Sequence, residues 1–307
     1  MRSGTGESAL DESRRTLDAP IGREAARDER TARLAVVVPA VGAPPELKLA
    51  VASLRRQSPA LEIAVVNSGG GDAAAVLGDL ASGLRVINRA ERLLPGAARN
   101  LGIAATRAPF VAFLAADCVA ADGWARARLD RHLAGTPAVA CALLPHRPWN
   151  LFAWASHIAL FVRRLPGTPE VETLRYGASF ARPLFDQYGL FREDLRIGED
   201  TEFIARLPER LRPVWTPGVV TMHATPTTPG RMLRDQLERG RRRAEANPSA
   251  AAFSPAARLA VRRFARNAAL SVRATRGPHR WLSVASWPLL ACCIGAYALG
   301  MARAGRQ

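Results

Sequence analysis

The sequence predicts an α/β protein with a mainly parallel, doubly wound sheet, followed by basic and hydrophobic C-terminal helices. Three observations carry this expectation. Short apolar, β-branched runs alternate with amphipathic stretches through the first 115 residues, the order expected of strands and crossover helices. The runs end in Gly, Pro, Asn or Asp, where a parallel sheet places its ligand-facing loops. Beyond residue 256 the chain carries nine Arg and no acid, and residues 281–302 contain no charged side chain.

Leu34–Val38 is a buried-strand run that ends at Pro39. Pro44-Pro45 opens a helix over Glu46–Gln57, with Leu47, Ala50, Val51 and Leu54 on one face. Leu61–Val66 reads as a second strand, closed by Asn67-Ser68-Gly69-Gly70-Gly71. A helix near Ala73–Leu80, a strand near Leu84–Ile87 and a helix over Gly96–Thr106 follow. Pro109–Ala115 is an apolar strand leading into Asp117. Right-handed crossovers then put the ligand crevice at 39–42, 67–71 and 115–118.

The second half is less regular. Trp149–Val162 is helical and apolar nearly all round, which suits either core or an interfacial segment with Trp149 and Trp154 at head-group level. Tyr176–Ala181 and Val214–Met222 read as strands, and Glu199–Leu207 as a helix. Pro229–Ala246 and Ala256–Thr275 read as Arg-rich helices. As a single helix, Trp281–Ala302 would be about 30 Å long, enough to cross a bilayer, with Pro288 tolerated inside it. A hairpin packed on the domain is the alternative. The expected organisation is a disordered tail over 1–32, a catalytic domain over 33–250, and a basic helix with a membrane-anchoring hydrophobic helix over 251–307.

Composition narrows the function. Formal net charge is +16, and Lys48 is the only lysine, so arginine supplies nearly all the positive charge. Such a segment points to an anionic surface. Nucleic-acid motifs are lacking, and the adjoining apolar run favours membrane. Residues 1–30 hold six Arg against seven acids and show no signal-like apolar core, so a tail is expected. The four cysteines have no metal-site spacing among themselves, which suits a reducing compartment.

Four stretches together resemble the family 2 glycosyltransferases. These are Leu34-Ala-Val-Val-Val-Pro39, Gly96-Ala-Ala-Arg-Asn-Leu-Gly102, Phe110 to Cys118 with Gly123-Trp124, and Gly198-Glu-Asp-Thr-Glu-Phe-Ile-Ala-Arg206 preceded by Tyr176-Gly-Ala-Ser-Phe. They stand in the family's order and cover about residues 33–245. The resemblance implies a nucleotide-diphospho-sugar transferase (GT-A type) fold and sugar transfer from a nucleotide-diphosphate sugar, with inversion. The acceptor would be a cell-envelope, lipid-linked or polysaccharide molecule, on the cytoplasmic face of the cell membrane.

The resemblance also assigns roles. Asp117 would bind a divalent cation, manganese or magnesium, with His223 as a second ligand. Asp200 would be the general base, with Glu199 supporting it. Pro39, Asn67, Gly69, Arg99, Asn100 and Ala116 would line the nucleotide-sugar site. Each position also has an ordinary reading. Asp117 suits a turn or N-cap, and His223 a structural histidine. Glu199 and Asp200 suit a first helical turn, 67–71 a strand-to-helix turn, and Arg99 and Asn100 a solvated helix face.

Two departures stand out. Asn67 replaces the family's usual Asp, and Ala115 replaces the first acid of its Asp-x-Asp. A relative that only binds sugar nucleotide or polysaccharide is therefore the alternative function. A nucleotidyltransferase would want a basic, Gly-rich loop after the first strand, and residues 39–45 contain no basic residue.

Overall fold

The structure, a computed structural model, describes residues 32–57, 60–246 and 256–304. The tail expected over 1–32 lies almost wholly outside them. Strand β1 (Leu34–Val41), helix α1 (Leu47–Arg55), β2 (Glu62–Ser68), α2 (Ala73–Leu77), β3 (Arg85–Asn88), α3 (Pro95–Ala104) and β4 (Phe110–Phe113) follow in the expected order. The strands β3-β2-β1-β4 lie side by side and are parallel. The chain moves from β1 outward to β3, then returns to the other side of β1. That reversal opens a crevice at the C-terminal ends of β1 and β4.

Both faces of this half-sheet are covered, which is why its strands are continuous apolar runs. Leu34, Val36 and Val38 pack into one core layer with α1, and Ala35 and Val37 into the other with α3. Helix α3 lies so close to β1 that a Cβ on Gly102 would fall 2.2 Å from Val37 Cγ1. Strand β1 runs on through Pro39, which stays in register opposite Val66. A proline forfeits one ladder donor, and its fixed φ still suits extended backbone.

The other half of the sheet adds β5 (Cys118–Ala120), β6 (Ala138–Pro145), β7 (Ser179–Ala181) and β8 (Val214–His223), with α4 (Trp124–Leu133), α5 (Leu151–Phe161), α6 (Pro183–Tyr188) and α7 (Glu199–Arg206) among them. The order across all eight strands is β3-β2-β1-β4-β7-β6-β8-β5. Antiparallel pairs join β4 to β7, β7 to β6 and β8 to β5, while β6 and β8 are parallel. The sheet is thus mixed on this side, as is common when strands return without a crossover helix.

The C-terminal region forms α8 (Pro229–Ala246), α9 (Ala256–Ala274), α10 (Gly277–Ala285) and α11 (Trp287–Ala304). The uncharged run is therefore two helices rather than one. Pro288 has no N–H for the carbonyl four residues back, and its ring would clash there. The chain ends α10 at Ser286 and restarts with Pro288 in the first turn of α11, where a missing N–H costs nothing. Helices α8 and α11 cross at backbone distance. A Cβ on Gly240 would lie 2.1 Å from the Tyr297 carbonyl oxygen, and one on Gly300 2.0 Å from that of Leu237. A third core cluster forms beneath, with Trp154 and Ile158 of α5 against Met232, Leu270, Leu290 and Ile294. Trp154 is thus core, whereas Trp149 is 71% exposed.

Candidate active site

The crevice wall at β1 and β2 is a pair of loops clamped by one side chain. Asn67, fully buried at the end of β2, accepts from Ala43 N at 2.8 Å and donates to the carbonyls of Gly70 and Gly71 at 3.0 and 3.1 Å. It also donates to Asn88 Oδ1 at 3.2 Å. The side chain's donors and its acceptor are therefore engaged in shaping the loop. Gly69, Gly70 and Gly71 all have positive φ, at 75°, 88° and 73°, a run that side chains beyond Cα would strain. Pro39 is half-buried beside this loop on β1.

Asp117 follows β4 at the crevice mouth, with Ala115 exposed and Ala116 buried before it. Across the β5–β8 ladder, Cys118 stands directly opposite His223, and directly opposed residues of an antiparallel pair project from the same face. His223 Nε2 lies 3.3 Å from Asp117 Oδ2. The Cys118 thiol donates to Asp117 Oδ1 at 3.6 Å. One ligand atom from each of the three falls within 4.8 Å of the others. Partial enclosure raises the Asp117 pKa, but the hydrogen bond and charge of His223, with hydrogen bonds from Cys118 and the backbone, together hold this half-exposed carboxyl below its ordinary value. Burial first, then the Asp117 charge, push the Cys118 thiol well above its own. The His223 ring rests against Phe161 at 4.8 Å between centroids.

A second cluster faces the same end of β4. Arg99 of α3 lies over Phe113, the last residue of β4, and over Phe191, at 5.3 and 5.2 Å from the ring centroids. Its Nη1 reaches Glu199 Oε1 at 2.9 Å and Asp200 Oδ2 at 3.8 Å. All three side chains are largely buried, with 15%, 7% and 14% exposure. Gly198 sets up the helix start in a left-handed conformation with φ 87°. Burial raises the Glu199 carboxyl above its usual range; Arg99 opposes this and Asp200 adds to it.

The neighbouring Asn100 turns elsewhere. It donates to Phe191 O and Glu193 Oε1 at 2.8 and 2.9 Å and accepts from Phe191 N at 3.0 Å. It therefore secures the segment that carries one of the rings under Arg99. A cavity of about 660 Å³ borders Asn100 on this outer side of α3, lined also by Arg89, Glu91, Leu93 and Leu190. None of Asp117, His223, Glu199 and Asp200 lines it.

Arg164 and Tyr176 pack together beside β6. The guanidinium sits 4.6 Å from the Tyr176 ring centroid and donates to Cys141 O and Sγ, each at 3.1 Å. Burial raises the Tyr176 hydroxyl pKa, and the Asp200 charge adds to the rise. Arg164 in turn pulls the Cys118 thiol downward. Sequence reasoning missed Arg164, and it placed Cys118 and Tyr176 in motif segments without giving either a role. A signal existed for Tyr176, just ahead of an apolar strand, but none for Arg164, whose place depends on the tertiary fold.

Comparisons with known proteins agree with this architecture. Residues 35–191 match the family described as glycosyl transferase family 2. No curated protein sequence matches the chain. Among solved structures, the mannosyltransferase PcManGT from Pyrobaculum calidifontis, in complex with GDP-Man and Mn2+, superposes with a TM-score of 0.53 at 19% identity, over 95% of this chain and 93% of that one. S. aureus TarS residues 1–349 in complex with UDP gives 0.50 at 14% identity, over 84% and 90%.

Proposed function

The chain belongs to glycosyl transferase family 2, and from that premise we propose that it moves a hexosyl group from a nucleotide-diphosphate sugar to a saccharide or lipid-linked acceptor, with inversion. The observation that carries this reading is the pair of clusters at the C-terminal end of β4. Asp117 with His223 lies on one side, and Arg99 with Glu199 and Asp200 on the other. The bound species of structures sharing the fold support the donor class, namely GDP-Man with Mn2+ in one and UDP in the other.

The donor set at Asp117 fits a divalent cation, because carboxylate oxygen and imidazole nitrogen converge within ligand range. Such a cation would neutralise charge on the leaving diphosphate. The glycine loop, held open by Asn67, leaves room for a nucleoside close to backbone.

In the acceptor half, Arg99 distinguishes the two acids. Glu199 takes the closer ion pair and is the more buried, so it fixes Arg99. Asp200 lies farther from the guanidinium and is the group placed to accept the acceptor hydroxyl's proton. The acceptor oxygen forms its bond to the anomeric carbon as the bond to the diphosphate breaks, and the proton passes to Asp200.

We also infer attachment to the cytoplasmic face of a membrane through α11. It is long and apolar enough to cross a membrane, and only 22% of it is buried. Its free face includes Pro288, Ala291, Cys292 and Leu299, and Arg276, Arg280 and Trp281 are exposed ahead of it. Arginine beside an apolar segment favours the negatively charged inner leaflet.

Thermal unfolding of the full chain with a panel of nucleoside-diphosphate sugars, with and without manganese, tests the donor reading. A donor that binds raises the unfolding temperature only with metal present, because a ligand stabilises the state it binds. If no nucleotide sugar shifts it under either condition, the reading fails. Metal-dependent binding with no hydrolysis or transfer would assign a binding role alone.

A further inference from the structure

Sites built for magnesium or manganese are lined with oxygen. The cluster at the β4 end is different, because its third member is a thiol. Cys118 is 7% exposed and lies opposite His223 in the ladder, and its Sγ already contacts the Asp117 carboxylate. Carboxylate, imidazole and thiolate together form a donor set suited to a borderline-soft ion.

The spacing agrees. For tetrahedral zinc with bonds of about 2.0 Å to N or O and about 2.3 Å to S, neighbouring N and O ligands stand about 3.3 Å apart, and S and O about 3.5 Å. Here Nε2 of His223 is 3.3 Å from Oδ2 of Asp117, and Sγ of Cys118 is 3.6 Å from the other oxygen, Oδ1. With one ligand atom from each residue within 4.8 Å of the others, the three gather on a common ion by a small closure onto one oxygen. Asp117 is half exposed, which leaves the outer side of the cluster open to a further, exchangeable ligand.

We propose that Cys118 is a third protein ligand and that this centre takes zinc or cobalt in preference to magnesium or manganese. The proposal rests on the reading of Asp117 and His223 as metal residues. On binding, the Cys118 S–H proton leaves to solvent and a sulfur–metal bond replaces the contact to Asp117. A thiophilic ion then needs no nucleotide to hold it, whereas a hard ion leans on the donor's phosphates.

The test uses the full-length chain, stripped of metal and kept reduced, titrated with cobalt(II) alone. The parent is expected to show a near-ultraviolet sulfur-to-cobalt charge-transfer band, which Cys118→Ser loses. Zinc affinity should fall at least about tenfold in Cys118→Ser while manganese affinity changes little, because only the soft ion gains from the thiolate. If that variant does not fold, X-ray absorption on the zinc-loaded parent decides, with a sulfur shell at about 2.3 Å expected. Absence of the band, equal zinc affinity in parent and variant, or a shell of nitrogen and oxygen alone overturns the proposal. Nucleotide binding with manganese, measured on the same preparation, stands separately. Binding without the band removes only the role of Cys118, and the band without binding removes only the donor reading.

Discussion

Arg99→Met should destabilise the fold by about 3 kcal/mol near neutral pH, and by much less in acid. Arg99 lies 2.9 Å from Glu199 and 3.8 Å from Asp200. At an effective dielectric of about 20, those distances give gross attractions of roughly 6 and 4 kcal/mol. Desolvation cancels most of this, and removing one partner of a buried pair costs about 3–5 kcal/mol. The 15% exposure of Arg99 places the cost at the lower end of that range. Methionine keeps contact with Phe113 and Phe191, so the charge is the main loss. The unfolding temperature should fall by roughly 6–12 °C.

The pH dependence follows from Glu199, whose folded pKa is raised above its ordinary 4.5 chiefly by burial. A carboxyl raised in the fold holds its proton more tightly folded than unfolded, so stability declines as pH rises through that window. Arg99 limits the decline, and without it the decline steepens. Urea unfolding near pH 4 and near neutrality, on parent and variant, reads the difference. A deficit under about 1 kcal/mol at neutrality, or one equal at both pH values, would refute the electrostatic account of this cluster.

Asp200→Asn should retain nucleotide binding and slow transfer by roughly 10²–10⁴-fold, the range for a positioned base; near-parental transfer rates would remove the assignment. His132 and His157 are pushed down to about 4 and about 3 from 6.5, mainly by burial. A depressed histidine stabilises the fold above its unfolded pKa and loses that contribution as pH falls. In Glu199→Gln, which lacks the opposing contribution of that raised carboxyl, the urea midpoint should therefore begin to drop below about pH 6.5, and a flat midpoint down to about pH 5 would contradict it. Gly240→Ala should separate α8 from α11 at a cost of about 1–3 kcal/mol and speed proteolysis of the C-terminal helices, and unchanged resistance would mean the crossing carries little stability.

Much of the first half was legible because local and tertiary demands agree there. Strands β1, β2 and β4 are buried on both faces and appear as unbroken apolar runs. The Gly96–Gly102 motif combines a helix start with a glycine that must touch Val37. Helix α4 was not read because Arg128 and His132 interrupt its apolar stripe. Both are buried, and both reach a partner remote in sequence, Ser179 Oγ, at 2.9 and 2.8 Å. Strands β5 and β6 were passed over: β5 is three residues long, and the charge-free run of β6 has no alternation to mark it.

At the site, the acids and His223 could be named from motif order, but their geometry could not. His223 joins Asp117 and Cys118 only through β5–β8 pairing, which sets it opposite a residue more than a hundred positions away. Arg99 suited a solvated helix face or a phosphate contact. Its actual partners are acids a hundred residues on, and no local pattern encodes that. The apolar C-terminal run shows the reverse case: its composition is that of one span, and a single proline divides it.

The most direct test of the account is nucleotide binding at Asp117. Calorimetry of the full chain should show weak manganese binding to the free protein, because one carboxylate makes a poor hard-ion site. Manganese and nucleoside diphosphate together should bind clearly, and Asp117→Ala should abolish that signal while leaving the fold intact. Nucleotide binding of equal strength with and without manganese, in both parent and Asp117→Ala, would contradict the account.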